Sequence, residues 1–166
     1  MATDEVGAKA AAGIVVGTSP VRLWGMTSAE RLRRTLARAG IPQLSPDEAA
    51  PAPVDGSVLV LSDSWVFDES LVRALAARPN AALLADTGEA AAVHVAAPAA
   101  PAAVRWLEAG GSSAAAPEGL SLIGAEALVP AYNVALRKRE PVMLVRLTPQ
   151  ARRRWRRGCS AAPTRA

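Results

Sequence analysis

The sequence predicts an α/β fold with a mostly parallel sheet. Short apolar runs alternate along the chain with segments that carry an i, i+4 apolar stripe, a pattern typical of strands that alternate with helices. Residues 58–61 form a continuous Val-Leu-Val-Leu run, which suits a central strand covered on both faces. A chain of 166 residues with 51% hydrophobic content is large enough for one compact domain with its own core.

The stretch from residue 58 to residue 75 is the predicted centre of this fold. Residues 62–64 break the apolar run, and Asp68 is placed to cap the helix that follows. Leu71, Val72 and Leu75 give that helix an apolar face. In open α/β sheets, ligands bind beyond the carboxyl ends of the strands, so Asp63 and its neighbours are the first candidates for a site.

The first half of the chain predicts a strand, a loop, a helix, a short strand and a surface loop. In order these are residues 14–17, residues 18–27, a helix capped by Ser28 that runs to about Ala39 and stops at Gly40, residues 41–44, and residues 45–56.

The second half predicts a hairpin, a short helix, a longer helix and a last strand. In order these are a turn at Pro79 and Asn80, a strand at 81–85, a hairpin turn at 86–89, a strand at 91–95, a helix within 98–109, a flexible loop at 110–118, an apolar segment at 120–123, a helix at 124–139 and a strand at 142–147.

The net charge of +4 is unevenly distributed. Residues 137–166 contain ten basic residues and Glu140, a net charge of +9, so the remainder of the chain carries −5. A basic face that recognises specific nucleic acid is therefore not expected on the folded domain. We expect residues 1–12 and the basic tail at 150–166 to be disordered. Residues 152–157, with Trp155 among five arginines, are an alternative binding segment for anionic lipid or, without sequence specificity, for nucleic acid.

The rarer residue types exclude several classes of protein. Cys159 is the single cysteine and His94 the single histidine, so an internal disulfide, a cysteine zinc cluster and a multi-histidine metal site are excluded. The sequence has no apolar run near the ~18 residues that cross a bilayer and no signal-peptide pattern, so we expect a cytoplasmic location.

Two segments carry a resemblance to a known family. VVGTSPVRLWGMTSAERLRRTLARAGI, residues 15–41, resembles the opening of sugar-nucleotide-type nucleotidyltransferase domains. AEALVPAYNVALRKREPVMLVRLTP, residues 125–149, resembles a segment of bacterial membrane proteins in which a nucleotidyltransferase-like domain is fused to a CDP-alcohol phosphatidyltransferase domain. The resemblance covers about residues 14–150, and residues 132–141 are its most specific part.

The resemblance implies a Rossmann-like three-layer nucleotidyltransferase-type domain over residues 13–149. Active members of the family join a nucleoside triphosphate, often CTP, to a sugar or polyol phosphate, and their membrane domain acts in phospholipid biosynthesis. The aspartate-rich motif of that membrane domain is not found in this sequence. We therefore expect this chain to lack phospholipid transferase activity and to be truncated or frameshifted relative to the family.

The nucleotide-binding loop of the family maps onto Gly17, Thr18, Ser19 and Arg22. The loop lacks the second glycine and the following lysine of active members, and Pro20 removes one backbone donor. The resemblance thus implies a degenerate phosphate site, and the alternative is a plain loop between a strand and a helix.

The magnesium ligand of the family maps onto Ser64, with Asp63 one residue earlier. Asp63 is therefore the candidate ligand for Mg²⁺, which needs only one or two protein carboxylates. The alternative is a strand-end aspartate that hydrogen-bonds the adjacent turn.

Other polar and aromatic residues favour structural roles. His94 lies in an apolar run, which indicates a neutral, half-buried side chain rather than a catalytic one. Trp24, Trp65 and Trp106 are expected to pack in or around the core. We expect a catalytically degenerate nucleotidyltransferase-like domain. The alternatives are a non-catalytic regulatory or scaffolding role, a weakly active CTP-dependent cytidylyltransferase for a sugar or polyol phosphate, and an anionic-lipid- or nucleic-acid-binding module that uses the tail.

Overall fold

A computed structural model describes residues 10–45, 56–130 and 142–148, together with the backbone of residues 132–133 and 138–139. The elements in chain order are β1 (Ala12–Val16), β2 (Arg22–Leu23), β3 (Met26–Thr27), α1 (Ser28–Arg38), β4 (Gln43–Leu44), β5 (Ser57–Ser62), β6 (Trp65–Phe67), α2 (Glu69–Ala76), β7 (Ala81–Leu84), β8 (Ala90–Ala96), α3 (Ala100–Glu108), β9 (Ser121–Gly124), α4 (Ala125–Leu128), β10 (Tyr132–Asn133), β11 (Lys138–Arg139) and β12 (Leu144–Arg146).

The central sheet has six strands in the order β4-β1-β5-β8-β7-β9. Strands β4, β1 and β5 pair in parallel, as do β7 and β9, whereas β8 pairs antiparallel with both of its neighbours. Five strands therefore share one direction, and the prediction of a mostly parallel sheet is confirmed. The hairpin predicted around residues 86–89 produces the one reversed strand of this sheet.

Helices cover both faces of the sheet, as a three-layer Rossmann-like fold requires. On strand β5, Leu59 and Leu61 pack with α1 and α2, whereas Val58 and Val60 pack with α3. All six residues of β5 are buried. The apolar run at 58–61 was predicted to mark such a strand, because alternate side chains must enter two separate apolar layers.

Local signals set the ends of α1 and α2. Asp68 caps α2 as predicted, since its carboxylate accepts a hydrogen bond from the Ser70 amide at 3.2 Å. The predicted cap of α1 was wrong by one residue. Thr27 is the N-cap and forms a capping box with Glu30, while Ser28 is buried and its hydroxyl donates to the Trp65 carbonyl at 3.2 Å. Gly40 has φ of 67° and ends the helix.

The predicted helix at residues 124–139 is wrong. Helix α4 ends at Leu128, and Val129 has extended angles of φ −131° and ψ 108°. Pro130 explains this end, because a proline disfavours the helical conformation of the residue before it. Further along, β10 and β11 pair antiparallel as a separate two-stranded ribbon.

The last predicted strand lies outside the central sheet. Strand β12 pairs antiparallel with β6, an element that the sequence reading placed in the break before α2. The loop predicted at 18–27 contains a second unpredicted ribbon, formed by β2 and β3.

The guanidinium of Arg146 lies 5.9 Å from the ring centre of Trp65, which is buried as predicted.

Several predictions fall on other parts of the chain. The N-terminal segment up to residue 9, most of the 45–56 loop, the side chains of Tyr132 and Asn133, and the basic tail with Cys159 lie outside the described residues. None of the helices in the described ranges combines the length and apolar character that a membrane crossing requires.

His94 is fully buried on β8, deeper than the half-buried position predicted for it. Its Nδ1 lies 2.9 Å from the Leu75 carbonyl oxygen and its Nε2 lies 2.7 Å from Ser57 Oγ. Because a carbonyl oxygen only accepts, Nδ1 carries the proton and Nε2 accepts from the Ser57 hydroxyl. Burial lowers the pKa of His94, although the hydrogen bond to Leu75 opposes this shift.

Stability is expected to fall with acidification because of His94. Its ordinary pKa is 6.5. As the pH falls below that value, His94 is protonated in the unfolded chain but stays neutral in the folded state. The free energy of unfolding therefore decreases until the pH reaches the lower pKa of the folded state. We expect the free energy of unfolding to decrease by up to about 1.4 kcal/mol per pH unit in this window, and urea titrations across pH values of about 5 to 8 would measure it. The His94→Gln variant should lack this pH dependence; an identical slope in both proteins would contradict the assignment.

Candidate functional site

The candidate site is built at the carboxyl ends of β1 and β5, which lie side by side. Val16 pairs with Ser62 at the end of the parallel ladder, and the Asp63 amide then donates to the Val16 carbonyl oxygen at 2.8 Å. Gly17 follows β1 with φ of 108°, a conformation that only glycine adopts without strain. The ends of both strands are therefore in contact, and the loop after β1 passes over Asp63, the residue that follows β5.

The side chain of Asp63 lies beneath this loop. Only 2% of the residue is exposed, and Oδ2 accepts a hydrogen bond from the Ser19 amide at 2.8 Å. Oδ1 is buried and has no hydrogen-bond partner among the described residues. A β-carbon at Gly17 would overlap Oδ1, so the loop closes on the carboxylate because position 17 has no side chain.

Burial also sets the protonation behaviour of Asp63. Desolvation raises its pKa above the ordinary value, while the Ser19 hydrogen bond and the charge of Arg33 act in the opposite direction. Arg33 is thus the cation whose field reaches the buried carboxylate. This links α1, which carries Arg33, to the ends of β1 and β5.

A cavity of about 700 Å³ opens at these strand ends. The residues that line it come from the loop, from α1 and α3, and from the segments after β5 and β12: Val15, residues 17–21, Arg33, Ser64, Glu108 and Leu147. The chain leaves β1 through α1 to reach β4 on one side, and then crosses to β5 on the other side. The cavity therefore lies at a topological switch point, the place where open α/β sheets bind their ligands.

The structure brings together four of the six residues predicted for the nucleotide site. Gly17, Thr18, Ser19 and Ser64 line the cavity, and Asp63 lies below its floor.

The fourth loop candidate, Arg22, is not in the cavity lining. Arg22 lies on the β2–β3 ribbon, where its guanidinium donates to the Gly25 carbonyl at 3.2 Å. Sequence reasoning instead missed Arg33 and Glu108, the two charged residues that line the cavity. Arg33 is one of four arginines on α1, and no local signal distinguishes it from the others.

The fit of Mg²⁺ to Asp63 can be judged from the accessibility of its two oxygens. One oxygen is bonded to the Ser19 amide and the other is enclosed against Gly17. Mg²⁺ needs an oxygen that it can approach while it keeps several waters. The described residues also hold no group of three His, Cys, Asp or Glu side chains placed to share a metal ion. Asp63 in this arrangement does not fit a magnesium ligand, and its observed bond to the loop corresponds to the alternative interpretation of this residue.

A second, smaller cavity of about 360 Å³ lies at the same edge of the sheet, after β7 and β9. Its charged lining residues are Asp86 and Glu126, both exposed. Two carboxylates repel an anion, whereas the larger cavity has one cation, Arg33, against one carboxylate, Glu108. A phosphate-bearing ligand is therefore better suited to the larger cavity.

Comparisons with family models, with curated proteins and with solved structures found no match to this chain.

Gly17→Ala is expected to destabilise the fold through two separable effects. The left-handed φ strains any side chain, and the new methyl group overlaps Asp63, so we expect a loss of about 2–5 kcal/mol in the free energy of unfolding. In an Asp63→Ala background the overlap disappears, and the cost of Gly17→Ala should fall by about 1–3 kcal/mol. Urea unfolding of the four proteins in this double-mutant cycle would measure the coupling.

Gly25→Ala is the matched control for this cycle. Gly25 also has a left-handed φ, of 81°, but a β-carbon there meets nothing within 4 Å. Its substitution should cost about 1–2 kcal/mol and show no coupling to Asp63. Equal coupling for Gly17 and Gly25 would refute the contact between the loop and the carboxylate.

Proposed function

We propose that this chain is a nucleotidyltransferase-like domain that binds a nucleoside triphosphate such as CTP in the larger cavity. The observation that carries the proposal is the position of this cavity at the switch point between β1 and β5, with Arg33 on its wall. The resemblance of residues 15–41 and 125–149 to the family supports the choice of ligand class. A cytoplasmic domain related to the CDP-alcohol phosphatidyltransferase proteins is part of the same proposal.

The charges of the cavity suit the two ends of a nucleotide. Arg33 supplies a cation for the phosphates, and guanidinium groups bind phosphate through paired hydrogen bonds. Loop residues 17–21 also line the cavity, where the Thr18 hydroxyl is suited to a phosphate oxygen, while the Ser19 amide is already bonded to Asp63. Glu108 has the acceptor oxygens that ribose hydroxyls require.

The proposed domain binds a nucleotide but transfers its nucleotidyl group slowly or not at all. Phosphoryl transfer depends on charge stabilisation around the reacting phosphate. Here Pro20 contributes no amide, and the Asp63 carboxylate is directed into the protein. The substitution of Ser64 for the family's aspartate removes a further charge from the cavity wall. These features support a domain that recognises a nucleotide and turns it over slowly or not at all.

CTP binding should depend on Arg33. Calorimetric titration of the full chain with CTP and Mg²⁺ is expected to give saturable heat, and Arg33→Ala should weaken the affinity at least about tenfold, the loss that follows from one charge-assisted hydrogen bond. Arg78→Ala is the matched control, because Arg78 is also exposed but lies away from the cavity lining.

Two results would overturn the proposal. An absence of heat at millimolar CTP would mean that the domain does not bind this nucleotide. Equal affinities for Arg33→Ala and Arg78→Ala would mean that CTP binds elsewhere. A parallel titration with ATP and GTP would show whether the base contributes to selection.

A further inference from the structure

The β2–β3 ribbon presents an exposed aromatic side chain at its turn. Trp24 is 69% exposed, although the sequence predicted a packed residue; the other large apolar residue that is exposed among those described is Leu122, at 40%. Trp24 also has φ of 49°, a left-handed conformation that is costly for a bulky side chain. Neither core burial nor turn geometry favours tryptophan at this position, so a role at the surface is indicated.

Positive charge surrounds this side chain. The guanidinium carbon of Arg31 lies 5.0 Å from the centre of the Trp24 ring. Residues 22–38, which form the ribbon and α1, contain five arginines and Glu30, a net charge of +4. The remainder of the ranges 10–45, 56–130 and 142–148 contains four arginines and eight carboxylates, a net charge of −4. The ribbon and α1 therefore carry a net positive charge, whereas the rest of the described residues are net negative.

The packing of α1 directs this charge outward. Leu32 and Leu36 are buried against the sheet, whereas Arg34 is exposed. Arg31 and Arg34 are three residues apart and so lie on neighbouring positions of one helix face. An exposed tryptophan in contact with Arg31, with Arg34 three residues further along the same helix, makes a surface with both apolar and cationic groups.

We propose that Trp24, Arg31 and Arg34 dock this domain on a membrane surface of anionic phospholipid. Tryptophan concentrates at the headgroup level of bilayers, where its ring is amphipathic like the interface itself. Basic residues near an anionic leaflet add attraction within a Debye length of the surface. This inference is independent of nucleotide binding, and it concerns the folded domain rather than the basic tail.

The same observations favour lipid over nucleic acid. Proteins that bind single strands stack successive bases on several aromatic rings. The described part of this surface offers one ring, and Arg31 already lies over it. A ribbon tip that projects one indole is suited to insertion into headgroups. Arg33 belongs to the same helix and lines the larger cavity, so docking would place that cavity beside the lipid surface.

The test is co-sedimentation of the full chain with phosphatidylcholine vesicles that contain or lack phosphatidylserine. The wild-type protein is expected to bind the anionic vesicles more strongly. Trp24→Gly should weaken that binding about tenfold, and Arg34→Ala about fivefold, as one interfacial aromatic and one basic contact imply. Because glycine relieves the left-handed φ, the melting temperature of Trp24→Gly should stay unchanged or rise. If Trp24→Gly fails to fold, Trp24→Asn replaces it, since asparagine tolerates this conformation.

Leu122→Ala and Arg105→Ala are the matched controls, since both residues are exposed on other elements. They should bind anionic vesicles as the wild-type protein does. The proposal is overturned if the Trp24 and Arg34 variants bind like these controls, or if neutral vesicles bind equally well. It is also overturned if these variants lose affinity for a single-stranded oligonucleotide while their vesicle binding is unchanged, because the surface would then serve nucleic acid.

Discussion

The buried carboxylate of Asp63 fixes the geometry on which the candidate site depends. The Asp63 amide donates to the Val16 carbonyl oxygen at 2.8 Å, and Oδ2 accepts a hydrogen bond from the Ser19 amide at 2.8 Å. Oδ1 occupies the space that a side chain at position 17 would need. A buried oxygen without a partner costs free energy. The structural result of this arrangement is that the loop after β1 is held against the end of β5, and this loop is one wall of the larger cavity.

Ser64 and Leu147, which also line the cavity, are held there by contacts between residues far apart in sequence. Strand β12 pairs with β6 immediately after the Asp63 turn, and the Leu147 amide donates to the Ser64 carbonyl at 2.7 Å. A second bond, from the Asp68 amide to the Met143 carbonyl at 2.8 Å, joins the same segment to the start of α2. The end of the described chain is thereby brought to the switch point. The cavity is therefore a product of the whole topology rather than of one motif.

The sequence predicts what is local and fails where pairing is remote. Strand β5 and the cap of α2 follow from an apolar run and from Asp68, because burial on two faces and the orphan amides of a helix constrain nearby residues. The ribbon of β6 and β12 has no such signal, since its register joins Phe67 to Leu144. The helix predicted through Pro130 was avoidable, as that proline was visible in the sequence. The choice of Arg22 over Arg33 as a site residue could not be corrected from sequence, because only the turn of the β2–β3 ribbon places Arg22 outside the cavity lining.

Under the proposed function, the distribution of charge separates nucleotide binding from catalysis. Arg33 lines the cavity. Asp63, the first carboxylate after strand β5, is instead buried and accepts a hydrogen bond from the loop. An inward carboxylate holds the loop that lines the larger cavity, and neither of its oxygens is open to a ligand. Glycine at position 17 is needed for this arrangement, because a β-carbon there would overlap Asp63 Oδ1. Under the proposed function, the cavity supplies a cation and loop donors for binding, whereas Asp63 serves to hold the loop rather than to react.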